Sequence, residues 1–120
     1  MNFGVPSLAL VVEDDPLQRE VLSDALKQDN MDVIQCESAE AAELVVARFG
    51  VELTLMVTDV ELAGRGNGIE LASFARQRCP GLRIIVVSGA GRAALPPDVS
   101  DINFLAKPYR ISDLLDIAHR

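Results

Sequence analysis

The 120-residue chain predicts an α/β fold, a parallel sheet wound with helices on both faces. Three observations predict it. Strand-like and helix-like segments alternate from end to end. Several strand-like segments are almost wholly apolar, as strands covered on both faces must be. The stretches between them are short. Hydrophobic residues make up 49% and charged residues 24%, the composition of an ordinary globular domain, and the length suits one such domain, residues 1–120 with a core from about 8 to 118. Aromatics reach only 4%, with no Trp, so the core must be aliphatic.

The elements follow in order. Leu8-Ala9-Leu10-Val11-Val12 is a buried strand. Asp15 then caps a helix, Pro16 takes its first position, and Gln18 completes a capping box. Leu17, Val21, Leu22, Ala25 and Leu26 recur at helical spacing. Met31 to Cys36 is a second strand. Ser38 opens a helix to about Phe49, with Ala41, Leu44 and Val45 on its inner face and Gly50 as its stop. Leu53 to Thr58 is a third strand and runs into Asp59. A loop with Gly64, Gly66 and Gly68 leads to a helix over Ile69 to Arg78, closed by Cys79-Pro80-Gly81. Leu82 to Val87 is the fourth strand and ends at Ser88. Between Gly89 and Ser100, Pro96-Pro97 forbids more than a short helix. Ile102 to Ala106 is a fifth strand, and Ile111, Leu114, Leu115 and Ala118 mark a last helix.

Composition also excludes. A formal charge of −7 argues against nucleic-acid binding, which needs basic patches to displace counterions. No apolar run is long enough to cross a bilayer, and Met1 to Ser7 lacks the features of a secretory signal. The expected location is the cytoplasm. Cys36 and Cys79 have no metal-type spacing; they read as reduced, buried small hydrophobes, with a disulfide the lesser alternative. Met31 and Met56 read as core filler, and His119 as a cation at a helix C-terminus.

In an open parallel sheet, ligands bind beyond the carboxyl ends of the strands. There the first strand carries Glu13-Asp14-Asp15, the third Asp59, the fourth Ser88 and the fifth Lys107-Pro108. Capping explains Asp15 without a ligand. Glu13, Asp14 and Asp59 against Lys107 leave a residual charge of −2, which a divalent cation would cancel. Hard oxygen donors with no His or Cys favour Mg²⁺ over Zn²⁺. A carboxylate nucleophile, a cation, an ammonium and a hydroxyl suit phosphoryl transfer onto aspartate.

These residues resemble the receiver domain of two-component response regulators. The resemblance runs from Leu8 to about Ala118. It rests on Leu10-Val11-Val12-Glu13-Asp14-Asp15-Pro16, Val57-Thr58-Asp59-Val60, Val86-Val87-Ser88-Gly89 and Lys107-Pro108-Tyr109. It implies a flavodoxin-like sheet in the order 2-1-3-4-5. Asp59 would be the phosphoacceptor and a Mg²⁺ ligand, Asp14 a direct ligand, Glu13 a ligand through water, and Glu61 a ligand through its backbone carbonyl. Lys107 would pair with the phosphoryl group, and Lys107-Pro108 would be cis. Ser88 would be the switch hydroxyl and Phe104 the aromatic switch, although a plain packing role suits Phe104 nearly as well. Phosphorylation would draw Ser88 inward and let Phe104 turn in, altering the face built from the fifth strand and the helices on either side of it. The implied partners are a sensor histidine kinase or phosphotransfer protein, a downstream protein and, as an open alternative, a second copy of the chain.

Some residues depart from the family pattern. Ala63 stands where the family usually has Pro, and the loop from Asp59 to Gly68 is about one residue longer. Glu61 adds a carboxylate near the cation, and Ala90 offers no polar group to an attacking water; slow self-dephosphorylation is expected. Pro96-Pro97 puts the usual output face in doubt. The expected activity is that of a signalling receiver with no output domain, either standing alone or cut from a hybrid kinase. Two other readings stay open: a degenerate receiver that binds without switching, and a Mg²⁺-dependent aspartyl phosphatase.

Overall fold

The computed structural model describes residues 7–62, 67–89 and 101–120. Five strands form one sheet in the order β2-β1-β3-β4-β5: β1 (Leu8–Val12), β2 (Asp32–Cys36), β3 (Leu55–Asp59), β4 (Arg83–Ser88) and β5 (Asn103–Ala106). Every neighbouring pair is parallel. The order is the flavodoxin-like one expected from the sequence. Among the described residues the helices are α1 (Pro16–Gln28), α2 (Ala39–Phe49), α3 (Gly68–Arg78) and α4 (Ile111–Ala118). None is long and apolar enough to cross a membrane. The expected short helix, with Pro96-Pro97, lies outside the described residues, as do Ala63 and Ala90.

Alternation along the central strands builds two cores. Leu10, Val12, Met56, Ile84 and Val86 face α2 and α3, where Ala42, Val46, Leu71 and Ala75 meet them. Ala9, Val11, Leu55, Val57, Ile85 and Val87 face the other way, against Leu22 and Leu26 of α1 and Leu114 and Ile117 of α4. Each large aliphatic side chain removed from water contributes about 1.5–3 kcal/mol. β1, β3 and β4 are buried on both faces, which is why they read as unbroken apolar runs.

Two helix faces differ from the reading by spacing. In α1, Leu22, Ser23 and Leu26 are buried, whereas Leu17 and Val21 are 73% and 53% exposed. In α2, Ala39, Ala42 and Val46 are buried, and Leu44 is 73% exposed. Both helices carry apolar residues over more than one face, so periodicity cannot say which stripe meets the sheet. Cys36 is buried and Cys79 only half-buried, and both are free thiols. Cys79 Sγ lies so close to Gly50 that a Cβ there would stand 2.5 Å from it, which restricts the end of α2 to glycine. His119 Nε2 meets Asp29 Oδ2, joining the ends of α4 and α1.

Candidate functional site

Register carries the polar residues to one rim. Glu13 follows β1, and its N–H donates to Cys36 O of β2 at 3.0 Å. Asp59 is the last residue of β3 and pairs with Val87 of β4. Ser88 ends β4 beside Ala106, and Lys107 N–H donates to Ser88 O at 2.9 Å. The Lys107–Pro108 peptide is cis. Glu13, Asp59 and Ser88 are 7%, 6% and 1% exposed, unusual burial for two acids and a hydroxyl at strand ends.

Lys107 is the hub. Its Nζ bonds to Asp59 Oδ2, lies 3.6 Å from Glu13 Oε1, and donates to Gln18 Oε1 at 3.1 Å. Asp59 Oδ1 accepts the Glu61 N–H at 3.1 Å, so both carboxylate oxygens of Asp59 are engaged. Thr58 Oγ1 donates to Asp59 O at 2.9 Å and fixes the strand end. Gly68 N–H donates to Val60 O, and a Cβ on Gly68 would stand 1.9 Å from Asp59 O. The first residue of α3 therefore presses directly on the backbone of Asp59.

Burial sets the electrostatics. Glu13 is raised to about 7, chiefly by desolvation; the Asp15 N–H on Oε2, 3.0 Å away, and the Lys107 charge pull it down, while a hydrogen bond that protonated Glu13 donates to Asp14 and the Asp59 charge push it up. Burial alone would lower Lys107, but its hydrogen bond to Asp59 and the nearby carboxylates outweigh that and hold it above the usual lysine range. Asp15 lies below the usual range because the first turn of α1 donates to it.

The α1 cap is not the capping box expected from Asp15 and Gln18. Asp15 Oδ1 accepts the N–H groups of Leu17 and Gln18 at 2.9 and 3.3 Å. Gln18 Oε1 does not accept the Asp15 N–H but that of Lys107 Nζ, and Nε2 donates to Asp15 Oδ2 at 3.2 Å. The reason is local: the Glu13 carboxylate already holds the Asp15 N–H. Gln18 is thereby free to bond Lys107, a role that reading the cap alone missed.

Asp14 is exposed at the rim and shares its hydrogen bond with Glu13. Glu61 is also exposed. Phe104 is half-buried on β5 beside Val86 and packs on the α2–α3 core. Among the described residues no three His, Cys, Asp or Glu side chains form a ready-made metal-ligating group. The donors nonetheless fit a hard cation: they are carboxylate oxygens with excess negative charge, one of them raised by burial, and a single ammonium offsets them. Beside Lys107, the exposed Leu17 and Val21 line an apolar groove of about 550 Å³ with Pro108, Tyr109 and Ile111.

This sheet order with acids at the ends of β1 and β3 and a lysine after β5 defines a class, and direct comparison agrees. The response regulator receiver domain family matches residues 9–119, and the chain belongs to that family. It is 34% identical to response regulator protein FleR of Pseudomonas aeruginosa over 92% of this chain and 24% of FleR. It is 32% identical to response regulator receiver protein CpdR of Brucella abortus, over 89% of each. The chain thus spans about a quarter of FleR and most of CpdR. In fold it is similar to the CheX-CheY-BeF3-Mg²⁺ complex from Borrelia burgdorferi, with a TM-score of 0.84 at 20% identity, covering 98% of this chain and 91% of that one.

Proposed function

We propose that Asp59 accepts a phosphoryl group from a phosphohistidine on a sensor histidine kinase or phosphotransfer protein. One observation carries the reading: a buried Asp59 carboxylate whose Oδ2 is held by Lys107 at a strand-end rim shared with Glu13. An Asp59 oxygen attacks phosphorus, the P–N bond breaks, and the leaving imidazole keeps the bond electrons and takes up a proton. The product is an acyl phosphate on Asp59. Lys107, already poised at Oδ2, pairs with the oxygens of the incoming group. The Glu61 N–H holds the other carboxylate oxygen in place.

Asp14 and Asp59, with Glu13 through water and the Glu61 backbone carbonyl, would hold Mg²⁺. When bound, Mg²⁺ supplies charge neutralisation for the transferred group. The structurally similar Borrelia burgdorferi CheX-CheY-BeF3-Mg²⁺ complex supports this choice of ion. Ser88 and Phe104 are proposed to carry the switch: the buried Ser88 ends β4, and Phe104 lies on the neighbouring strand. The phosphodonor is proposed to dock over the Leu17–Val21 groove, which opens beside Lys107. The exposed Glu61 carboxylate next to Asp59 opposes an approaching hydroxide and supports a phosphoryl half-life of minutes. A half-life of seconds in purified protein with Mg²⁺ would contradict that.

The test is to incubate the protein with Mg²⁺ and acetyl phosphate and to weigh it intact beside Asp59→Asn. One phosphate adduct on the parent alone is expected. Adducts on both proteins, or on neither despite bound Mg²⁺, would defeat the assignment.

A further inference from the structure

Lys107 has three N–H groups. It bonds to the Asp59 carboxylate and donates to the neutral carbonyl of Gln18 at 3.1 Å, and its ammonium lies 3.6 Å from the Glu13 carboxylate. Gln18 is itself held at both ends. Its backbone N–H and its side-chain amide both donate to the Asp15 carboxylate, at 3.3 and 3.2 Å. Asp15 in turn donates its N–H to Glu13. A closed circuit therefore runs from the acid pair through the α1 cap and Gln18 to the lysine and back to Glu13. Gln18 also lines the groove formed by Leu17, Val21 and Pro108.

A lysine side chain has much rotamer freedom to lose, and the Lys107 side chain is still 27% exposed. Held by carboxylates alone, its position would shift with the charge on them as Lys107 passed from Asp59 to the incoming phosphoryl oxygens. A neutral oxygen fixed to the end of a helix gives it an anchor that neither adds charge nor competes with the incoming anion. We propose that Gln18 is a positioning residue for Lys107, holding the ammonium at the rim of Asp59 and tying it to the first turn of α1. The inference rests on Asp59 being the acceptor.

The test uses Gln18→Met, which keeps length and helix propensity but loses the acceptor, and Gln18→Glu, which keeps an acceptor. Phosphorylation of Asp59 by acetyl phosphate at saturating Mg²⁺ is followed by intact mass. The Lys107 ammonium is followed by ¹⁵N NMR without a phosphodonor. In Gln18→Met the rate is expected to fall about three- to tenfold, the size of one partly exposed hydrogen bond to a charged group. The Lys107 ammonium should lose order in Gln18→Met and keep it in Gln18→Glu. An unchanged ammonium in Gln18→Met would overturn the proposal, even with a slower rate, because the effect would then be only that of a weakened helix cap. So would a rate within twofold of the parent. If the parent itself took no phosphate, the acceptor reading would fail, while the lysine signal would still decide whether Gln18 holds Lys107.

Discussion

At the scale of residues, the site is a problem of buried charge. Glu13 is held near 7 when folded, against 4.5 for an ordinary glutamate. Between those values the folded chain keeps a proton that the unfolded chain has released. The metal-free stability due to Glu13 is therefore full below the lower value and is lost as pH rises through the upper one. With a chelator present, the Tm should fall from about pH 5 to about pH 8 more steeply in the parent than in Glu13→Gln. Mg²⁺ competes with that proton, so its affinity should rise over the same range, as calorimetric titration would show. Gly68 gives a second prediction. Because a side chain there must displace the Asp59 backbone, Gly68→Ala should cost about 1–3 kcal/mol in denaturant unfolding and also slow phosphorylation of Asp59. A variant of parental stability and rate would show that α3 can move aside freely.

At the scale of elements, α1 has two jobs that its apolar pattern blends together. Leu22 and Leu26 bury against the sheet, while Leu17 and Val21 are left on the surface, lining one groove with Lys107. Exposed apolar side chains grouped beside a reactive site mark an interaction surface. Replacing both by serine should leave the Tm nearly unchanged, since neither is in the core. It should leave phosphorylation by acetyl phosphate intact and weaken phosphotransfer from a cognate kinase at least tenfold. Equal loss with both donors would place these residues in the chemistry of the site.

At the scale of the whole molecule, the parallel sheet converts three distant sequence segments into one rim. A cation bound only by the folded rim stabilises the fold by mass action, about 2.7 kcal/mol at a hundredfold excess over Kd. Added Mg²⁺ should thus raise the Tm of the parent and leave that of Asp14→Asn or Asp59→Asn nearly unmoved; an equal rise in all three would place the ion elsewhere.

The order of elements and the strand-end positions of Glu13, Asp59, Ser88 and Lys107 were legible in the sequence, because two-sided burial writes β1, β3 and β4 as apolar runs and polarity marks where they stop. The strands β2, β3, β4 and β5 begin one or two residues later than the reading, because Met31, Leu53, Leu82 and Ile102 are apolar and buried just ahead of the ladder. Which stripe of α1 and α2 turns inward was not legible, because both carry surplus apolar residues and only the sheet opposite them selects a face. The same is true of Gln18. Its helix position could be read from the cap, but its hold on Lys107 depends on the first and fifth strands lying three places apart in one sheet, a proximity that no local pattern encodes.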